Sequence, residues 1–201
     1  MLLLASNGLT NAVILNELHK HTEGGTAALV VTADNIYKDR NHHVPRSREE
    51  LTRLGFTVDL LDIDAVSPVR LLDYDLVEFI GGNPFYLLDS IHRNEAEPVL
   101  EKLANEKLLI GWSAAAMVFG PTLALANEYT PEMNTVGLAD LSGLGLTDVT
   151  VLPHYSRFLK KYDRFEERCA LFEEKSGRKV LRLNDGDGVF IENGQMTLVR
   201  A

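Results

Sequence analysis

Cysteine is almost absent. Of 201 residues only Cys169 carries a thiol, so no internal disulfide can staple the chain and its stability has to come from a packed core. The same scarcity fits a reducing compartment, and a cytoplasmic location is expected. Positive charge is also in short supply, with 20 Lys and Arg against 29 Asp and Glu and a formal net charge of -9. Such a field repels phosphate backbones, and no run of Lys or Arg is long enough to reverse it, which excludes nucleic acid as a partner. No apolar run approaches the ~20 residues that span a bilayer, so no membrane partner is expected. The opening "MLLLASNG" is too short for a secretory core and has no basic stretch before it, and reads as a first strand. There is no Gly-Lys-Ser/Thr phosphate loop and no full Gly-x-Gly-x-x-Gly, so no nucleotide cofactor is called for. Nor is a metal expected. His42 and His43 are adjacent and point apart on an extended chain, without Cys or acid at ligand spacing, and read as a solvated loop with Tyr37 or Arg40 at a site rim.

What remains is ordinary globular composition, 45% hydrophobic and 24% charged, enough for one domain over residues 1–201. Short β-branched runs at Leu2 to Ala5, Ala27 to Ala33, Thr57 to Ile63, Leu76 to Ile80 and Leu108 to Trp112 alternate with helical spacing at Thr10 to Thr22, Pro45 to Leu54 and two pieces within Phe85 to Asn105. That alternation predicts an α/β fold, a three-layer, doubly wound, mostly parallel sheet with helices on both faces. Beyond Phe119 the runs "GPTLALANEY", "VTVLPHY", "KVLRLND", "GVFIEN" and "MTLVRA" read as strands around one helix, Leu159 to Ser176, with a hairpin turn at Asn193-Gly194. They predict an extension of the sheet or an antiparallel C-terminal edge. Met133 to Asp148 reads as a long loop, of the kind that often serves a site.

In such sheets ligands bind outside the carboxyl ends of the strands. Two of those ends read Gly81-Gly82-Asn83 and Gly111-Trp112-Ser113. The stretch "GWSAAAM" sets a single hydroxyl where a strand gives way to the smallest side chains, as a nucleophile on a tight strand-to-helix turn requires; a serine that merely caps an alanine-rich helix would look similar. A serine nucleophile needs a base, and the base needs an acceptor to fix its tautomer. His154 in "VLPHYSRF" and Asp185 in "LRLNDGDGVFI" meet that need, although each also suits a purely structural role. Cys169, within a helical pattern, reads as a small buried hydrophobe, and Trp112 as a core anchor for the turn whose indole seeks an acceptor.

Taken in order, "LLLASNG", "GGNPFYLL", "IGWSAAA", "LPHY" and "LNDGDGVFI" resemble the dipeptidase E and cyanophycinase family of serine peptidases over nearly the whole chain. The resemblance implies a class I glutamine amidotransferase-like fold, Ser113 as nucleophile, His154 as base, Asp185 as orienting acid, and the amides of Gly82 and Ala114 as oxyanion hole. It implies a small peptide substrate, among which dipeptides beginning with aspartate stand out. Asn83, Tyr155 and Arg157 are the candidate substrate-binding residues. Arg157 is the nearest guanidinium for a carboxylate, while with Lys160, Lys161 and Arg164 it also describes a solvated helix face. Two departures stand out. Ala115 occupies a position where the family usually has glycine, a costly change if the backbone there needs positive φ. Asp185 stands where dipeptidase E carries glutamate, leaving Asp187 and Glu192 as rival acids. The alternative reading is a weak or inactive relative that binds a small molecule or phosphate at Gly81-Gly82-Asn83. An α/β-hydrolase is disfavoured because its acid precedes its histidine. Monomer and homodimer are both open.

Overall fold

The computed structural model describes residues 1–201. Its first half runs β1 (Leu2–Ala5), α1 (Ala12–Leu18), β2 (Gly25–Val30), α2 (Val44–Arg53), β3 (Phe56–Leu61), β4 (Leu76–Phe79), α3 (Pro84–Arg93), α4 (Glu97–Glu106) and β5 (Leu108–Trp112). The second half runs α5 (Ala114–Val118), α6 (Ala124–Tyr129), β6 (Thr150–Leu152), α7 (Tyr155–Lys161), α8 (Phe165–Ser176), β7 (Val180–Arg182), β8 (Gly188–Glu192) and β9 (Gln195–Val199). Seven strands form one sheet in the order β3-β2-β4-β5-β1-β8-β9. β1 to β5 are parallel, and β8 and β9 close the edge antiparallel.

The three layers follow from side-chain alternation along each strand. Leu2 and Leu4 of β1, Ala28 and Val30 of β2 and Val77 and Phe79 of β4 pack with α3, α4 and α5 on one face. Leu3 and Ala5, Ala27 and Leu29, and Leu76 with Ile80 pack against Ile14 and Leu18 of α1 and Val44 and Leu51 of α2 on the other. Because both faces are covered, β1 and β5 read as unbroken apolar runs rather than as alternating ones. From β2 the chain steps outward to β3, and from β4 it steps inward to β5. A crevice therefore opens beyond the carboxyl ends of β2 and β4, where Asn83 N–H donates to the Ala33 carbonyl at 2.8 Å.

The C-terminal expectations hold in part. Asn193 and Gly194 take φ of 51° and 76°, as a two-residue hairpin demands, and Glu192 pairs with Gln195 across the turn. The segment read as a strand in "GPTLALANEY" is instead helical at Ala124–Tyr129. Its buried Leu125, Ala126 and Tyr129 recur at three- and four-residue spacing, a period that a short apolar run conceals. The single helix read over Leu159 to Ser176 is two helices, broken where Arg164 adopts φ 48°. β6 and β7 pair with each other, parallel, in a separate two-stranded sheet. The loop from Met133 to Asp148 starts on the last residue of a 3-10 turn, Pro131–Met133, and has no further helix or strand beyond a bridge from Ser142 to Thr122. It is tied to the crevice by the Asn83 side-chain amide, which donates to the Met133 carbonyl at 2.7 Å.

Candidate active site

Ser113 follows directly on β5 and begins α5 with φ 53° and ψ -110°. A non-glycine residue rarely takes such angles, and strain of order 1–3 kcal/mol is tolerated only where the surroundings hold it in place. They do so through small neighbours. A methyl at Gly111 would stand 2.6 Å from the Phe119 ring, and one at Gly81 would stand 2.6 Å from the Trp112 ring and 2.9 Å from Ser113 Cβ. Ala114, Ala115 and Ala116 are fully buried, so α5 lies flush on the core and turns the serine outward.

Ala115 is helical, and it is Ser113 rather than Ala115 that takes positive φ. The concern raised by its departure from glycine therefore disappears. Ala115→Gly is expected to lower stability by about 1 kcal/mol through helix propensity alone, without raising activity. Thermal melts and turnover measured on the same preparation check this; a gain in turnover would mean that the methyl obstructs the site.

Three distant segments converge at the serine. The Oγ of Ser113 lies 2.9 Å from His154 Nε2, and His154 Nδ1 lies 2.6 Å from Asp185 Oδ1. With Nδ1–H donating to the carboxylate, Nε2 is left as the acceptor for the serine hydroxyl. The histidine itself sits in the left-handed region, φ 55° and ψ 28°, at the start of α7. Its backbone N–H donates to Ser6 Oγ at 2.9 Å, and the Ser6 hydroxyl in turn donates to Asp185 Oδ1 at 3.2 Å. Sequence reasoning missed Ser6; its position in "LLASNG", at the carboxyl end of the central β1, was the available signal. Arg157 completes the cluster by pairing with Asp185 Oδ2.

The charges follow from this packing. Burial holds the His154 imidazole below the usual histidine range, against the opposing pull of its bond to Asp185. For Asp185 burial works toward protonation, but the bond to His154 and the neighbouring Arg157 outweigh it and hold the carboxyl below its ordinary value. The two rival acids lie elsewhere. Asp187 is buried and accepts from Asn184 N–H, from Arg200 and from Ala201 N–H, so it ties the turn to the C-terminal residues. Glu192 ends β8, beside a surface hollow lined by Met1 and His21.

The remaining residues separate by position. Gly82 lies where a Cβ would collide with the Ala33 carbonyl, so only glycine lets this loop pass so close to the segment that follows β2. Its N–H has no protein acceptor. The Ala114 N–H opens the first turn of α5, where helix amides lack partners within the helix. Asn83 caps α3, its Oδ1 accepting from the amides of Phe85 at 3.0 Å and Tyr86 at 3.1 Å. Those amides are the ones a phosphate would use, which removes support from the phosphate-cradle alternative. Tyr155 does not line the cavity beside Ser113. Its hydroxyl bonds to Glu166 and its ring turns toward Phe165, because α7 aims that side chain at α8.

That cavity has a volume of about 370 Å³ and is bounded by Ser113, His154, Arg157, Gly82, Asn83 and Trp112, with the β2 loop opposite. From the loop come Tyr37, in line with the expected rim role, and His43, against expectation. His43 is half-buried, its ring edge-on to Trp112 at 5.2 Å, and burial with neighbouring His42 and Arg46 pushes its pKa down to about 4. It is a neutral wall of the cavity rather than part of a solvated loop. Cys169 is buried away from this site, and burial pushes its thiol up to about 11.

Comparison with known proteins places this geometry in context. A family model described as peptidase family S51 matches residues 2–199. An uncharacterized peptidase of Listeria monocytogenes is 30% identical over 193 residues, 93% of this chain and 92% of the relative. A peptidase E of Salmonella arizonae is 26% identical over 180 residues, 87% of this chain and 77% of the relative. Among solved structures, a Listeria monocytogenes protein named for peptidase E superposes with a TM-score of 0.79 at 26% identity, covering 100% of this chain and 98% of the other.

Proposed function

The chain belongs to peptidase family S51 and is a serine-type peptidase, and we propose that it hydrolyses small peptides through Ser113, His154 and Asp185. The observation that carries this reading is the unbroken chain of hydrogen bonds from Ser113 Oγ through the imidazole to Asp185. His154 Nε2 takes the hydroxyl proton as Ser113 Oγ attacks the peptide carbonyl carbon. The resulting oxyanion lies against the N–H groups of Gly82 and Ala114, where each preset donor contributes roughly 3 kcal/mol. The proton then passes from His154 to the departing amine as the C–N bond breaks, and water resolves the acyl-enzyme by the same steps.

A peptide of two or three residues suits the volume of the cavity. For the first residue we favour aspartate. Arg157 is 60% exposed and meets Asp185 through one guanidinium nitrogen, leaving donors for a second carboxylate. No helix is long and apolar enough to cross a membrane, and the working location we assign is the cytoplasm, with a free small peptide as the partner.

Hydrolysis of a dipeptide library, combined with fluorophosphonate labelling, tests the reading. The expected result is labelling at Ser113 and fastest cleavage after an N-terminal aspartate. Labelling with preference for neutral first residues would keep the chemistry and overturn the specificity; absence of both labelling and cleavage would overturn the function.

The pH profile is a second check. His154 must be neutral to accept the proton, and its pKa is held below the ordinary 6.5 by burial. kcat/KM should therefore climb through a midpoint below 6.5 and level off by neutral pH. An ascending limb centred above that value would count against His154 as the base.

A further inference from the structure

Glu78 stands in the middle of β4 with no exposed surface. A carboxyl so placed needs a partner, and one of its oxygens has one: Trp112 Nε1–H donates to Glu78 Oε1 at 2.9 Å. Its Oε2 has none. The bond joins two neighbouring strands just before each delivers a reacting part. Two residues beyond Glu78, β4 gives way to Ile80 and then to Gly81 and Gly82. β5 ends at Trp112, and Ser113 follows immediately. The indole is also the surface on which the glycine loop rests, since a methyl at Gly81 would touch its ring at 2.6 Å.

We propose that Glu78 is a positioning residue: through its bond to the Trp112 indole it holds the end of β5 against the end of β4, and so sets the distance between the Ser113 hydroxyl and the Gly82 amide. The proposal rests on the reading of Ser113 as nucleophile and Gly82 as oxyanion donor. Displacing either by an ångström costs on the order of 100-fold in rate, so a buried brace between them is worth its desolvation.

The surroundings set the protonation state of the brace. Facing Glu78 are Glu50, Ser47 and Arg46 from α2 and Trp112 from β5. Burial, reinforced by the charge of Glu50, pushes its carboxyl up to about 8, and the Trp112 N–H and Arg46 oppose this without reversing it. Arg46 engages Glu50 at 3.5 Å and lies over the Trp112 ring, so it does not neutralise Glu78. At neutral pH the brace is a carboxylic acid. Above about pH 8 it becomes a buried anion beside a second carboxylate, and the packing around Trp112 has to change.

The experiment compares wild type, Glu78→Gln, Glu78→Leu and Ser113→Ala for fluorophosphonate labelling rate per folded molecule between pH 6 and 9.5. It reads in parallel the fluorescence of Trp112, the chain's sole tryptophan. Glu78→Gln keeps an acceptor for the indole and cannot ionise. It should label within about two-fold of wild type at pH 7, lose the alkaline fall in rate, and lose the fluorescence transition near pH 8. Glu78→Leu should label on the order of ten-fold more slowly or worse.

Thermal melts give an independent reading of the same proton. A raised carboxyl pKa means that the folded state binds more protons than the unfolded one, so wild type should lose stability relative to Glu78→Gln as pH rises from about 4.5 to 8. Wild-type labelling rates in folded Glu78→Leu overturn the proposal. Should that variant not fold, persistence of the alkaline fall and of the fluorescence transition in Glu78→Gln overturns it equally. Labelling that survives in Ser113→Ala would instead remove the nucleophile reading, and this inference with it.

Discussion

Ser113→Ala should reduce peptide hydrolysis by on the order of 10⁴-fold or more and abolish fluorophosphonate labelling. The hydroxyl is the one nucleophilic atom that the imidazole reaches, with Oγ 2.9 Å from Nε2. His154→Ala should cost a similar factor, and the double substitution little more than either alone, because residues that act as one unit lose their contribution together. The same position offers a stability comparison that separates chemistry from folding. Ser113 is held at φ 53° and ψ -110°, angles that alanine shares at a cost but glycine takes freely. Ser113→Gly should therefore be as inactive as Ser113→Ala and more stable by about 1 kcal/mol or more. Calorimetry on the two variants measures this. Equal melting temperatures would mean that the turn stores no strain; hydrolysis by a verified Ser113→Ala preparation would reject the nucleophile.

How much of this was legible depended on whether a residue acts locally or through a distant partner. The limits of β1 and β5 were readable to the residue, since a buried parallel strand is an apolar run bounded by turn residues, and both flank the site. The tight turn at Ser113 was readable from the small residues around it, but a helix-capping serine reads the same way locally, and the order of the other segments had to decide between the two. Its partners came from family order and chemical need, as nothing in the local sequence of His154 or Asp185 distinguishes a catalytic from a structural role. Ser6 and His43 were not legible. Ser6 matters because β1 lies beside β5 and β8 and so carries its hydroxyl to both His154 and Asp185. His43 matters because it caps the start of α2, and its ring there meets Trp112 at the end of β5. Glu78 did leave a trace, a carboxylate interrupting the apolar strand "LVEFI", and the acceptor expected for the Trp112 indole is that residue. The misread helix α6 and the divided α7 and α8 lie after β5, where short apolar segments fit either period and tertiary packing decides.

Asp185→Asn should be nearly as damaging as loss of the serine, on the order of 10⁴-fold in kcat, although it changes a single atom. Asp185 is an acceptor on both oxygens: Oδ1 takes the His154 Nδ1–H at 2.6 Å and the Ser6 hydroxyl at 3.2 Å, and Oδ2 takes Arg157. An amide cannot serve all three. With its oxygen toward His154, its NH₂ faces the Arg157 guanidinium, donor against donor. With its NH₂ toward His154, the proton must sit on Nε2, and the lone pair that accepts from Ser113 is lost. The first arrangement disturbs the orientation of the imidazole and the second its tautomer; both remove the carboxylate charge that supports the imidazolium during proton transfer. Asp187→Asn provides the contrast, because Asp187 accepts from Asn184, Arg200 and Ala201 and makes no bond to His154. It should lower the melting temperature and keep Ser113-dependent labelling. The reverse pattern, with labelling retained in Asp185→Asn and lost in a folded Asp187→Asn, would transfer the role of the acid from one end of the turn to the other.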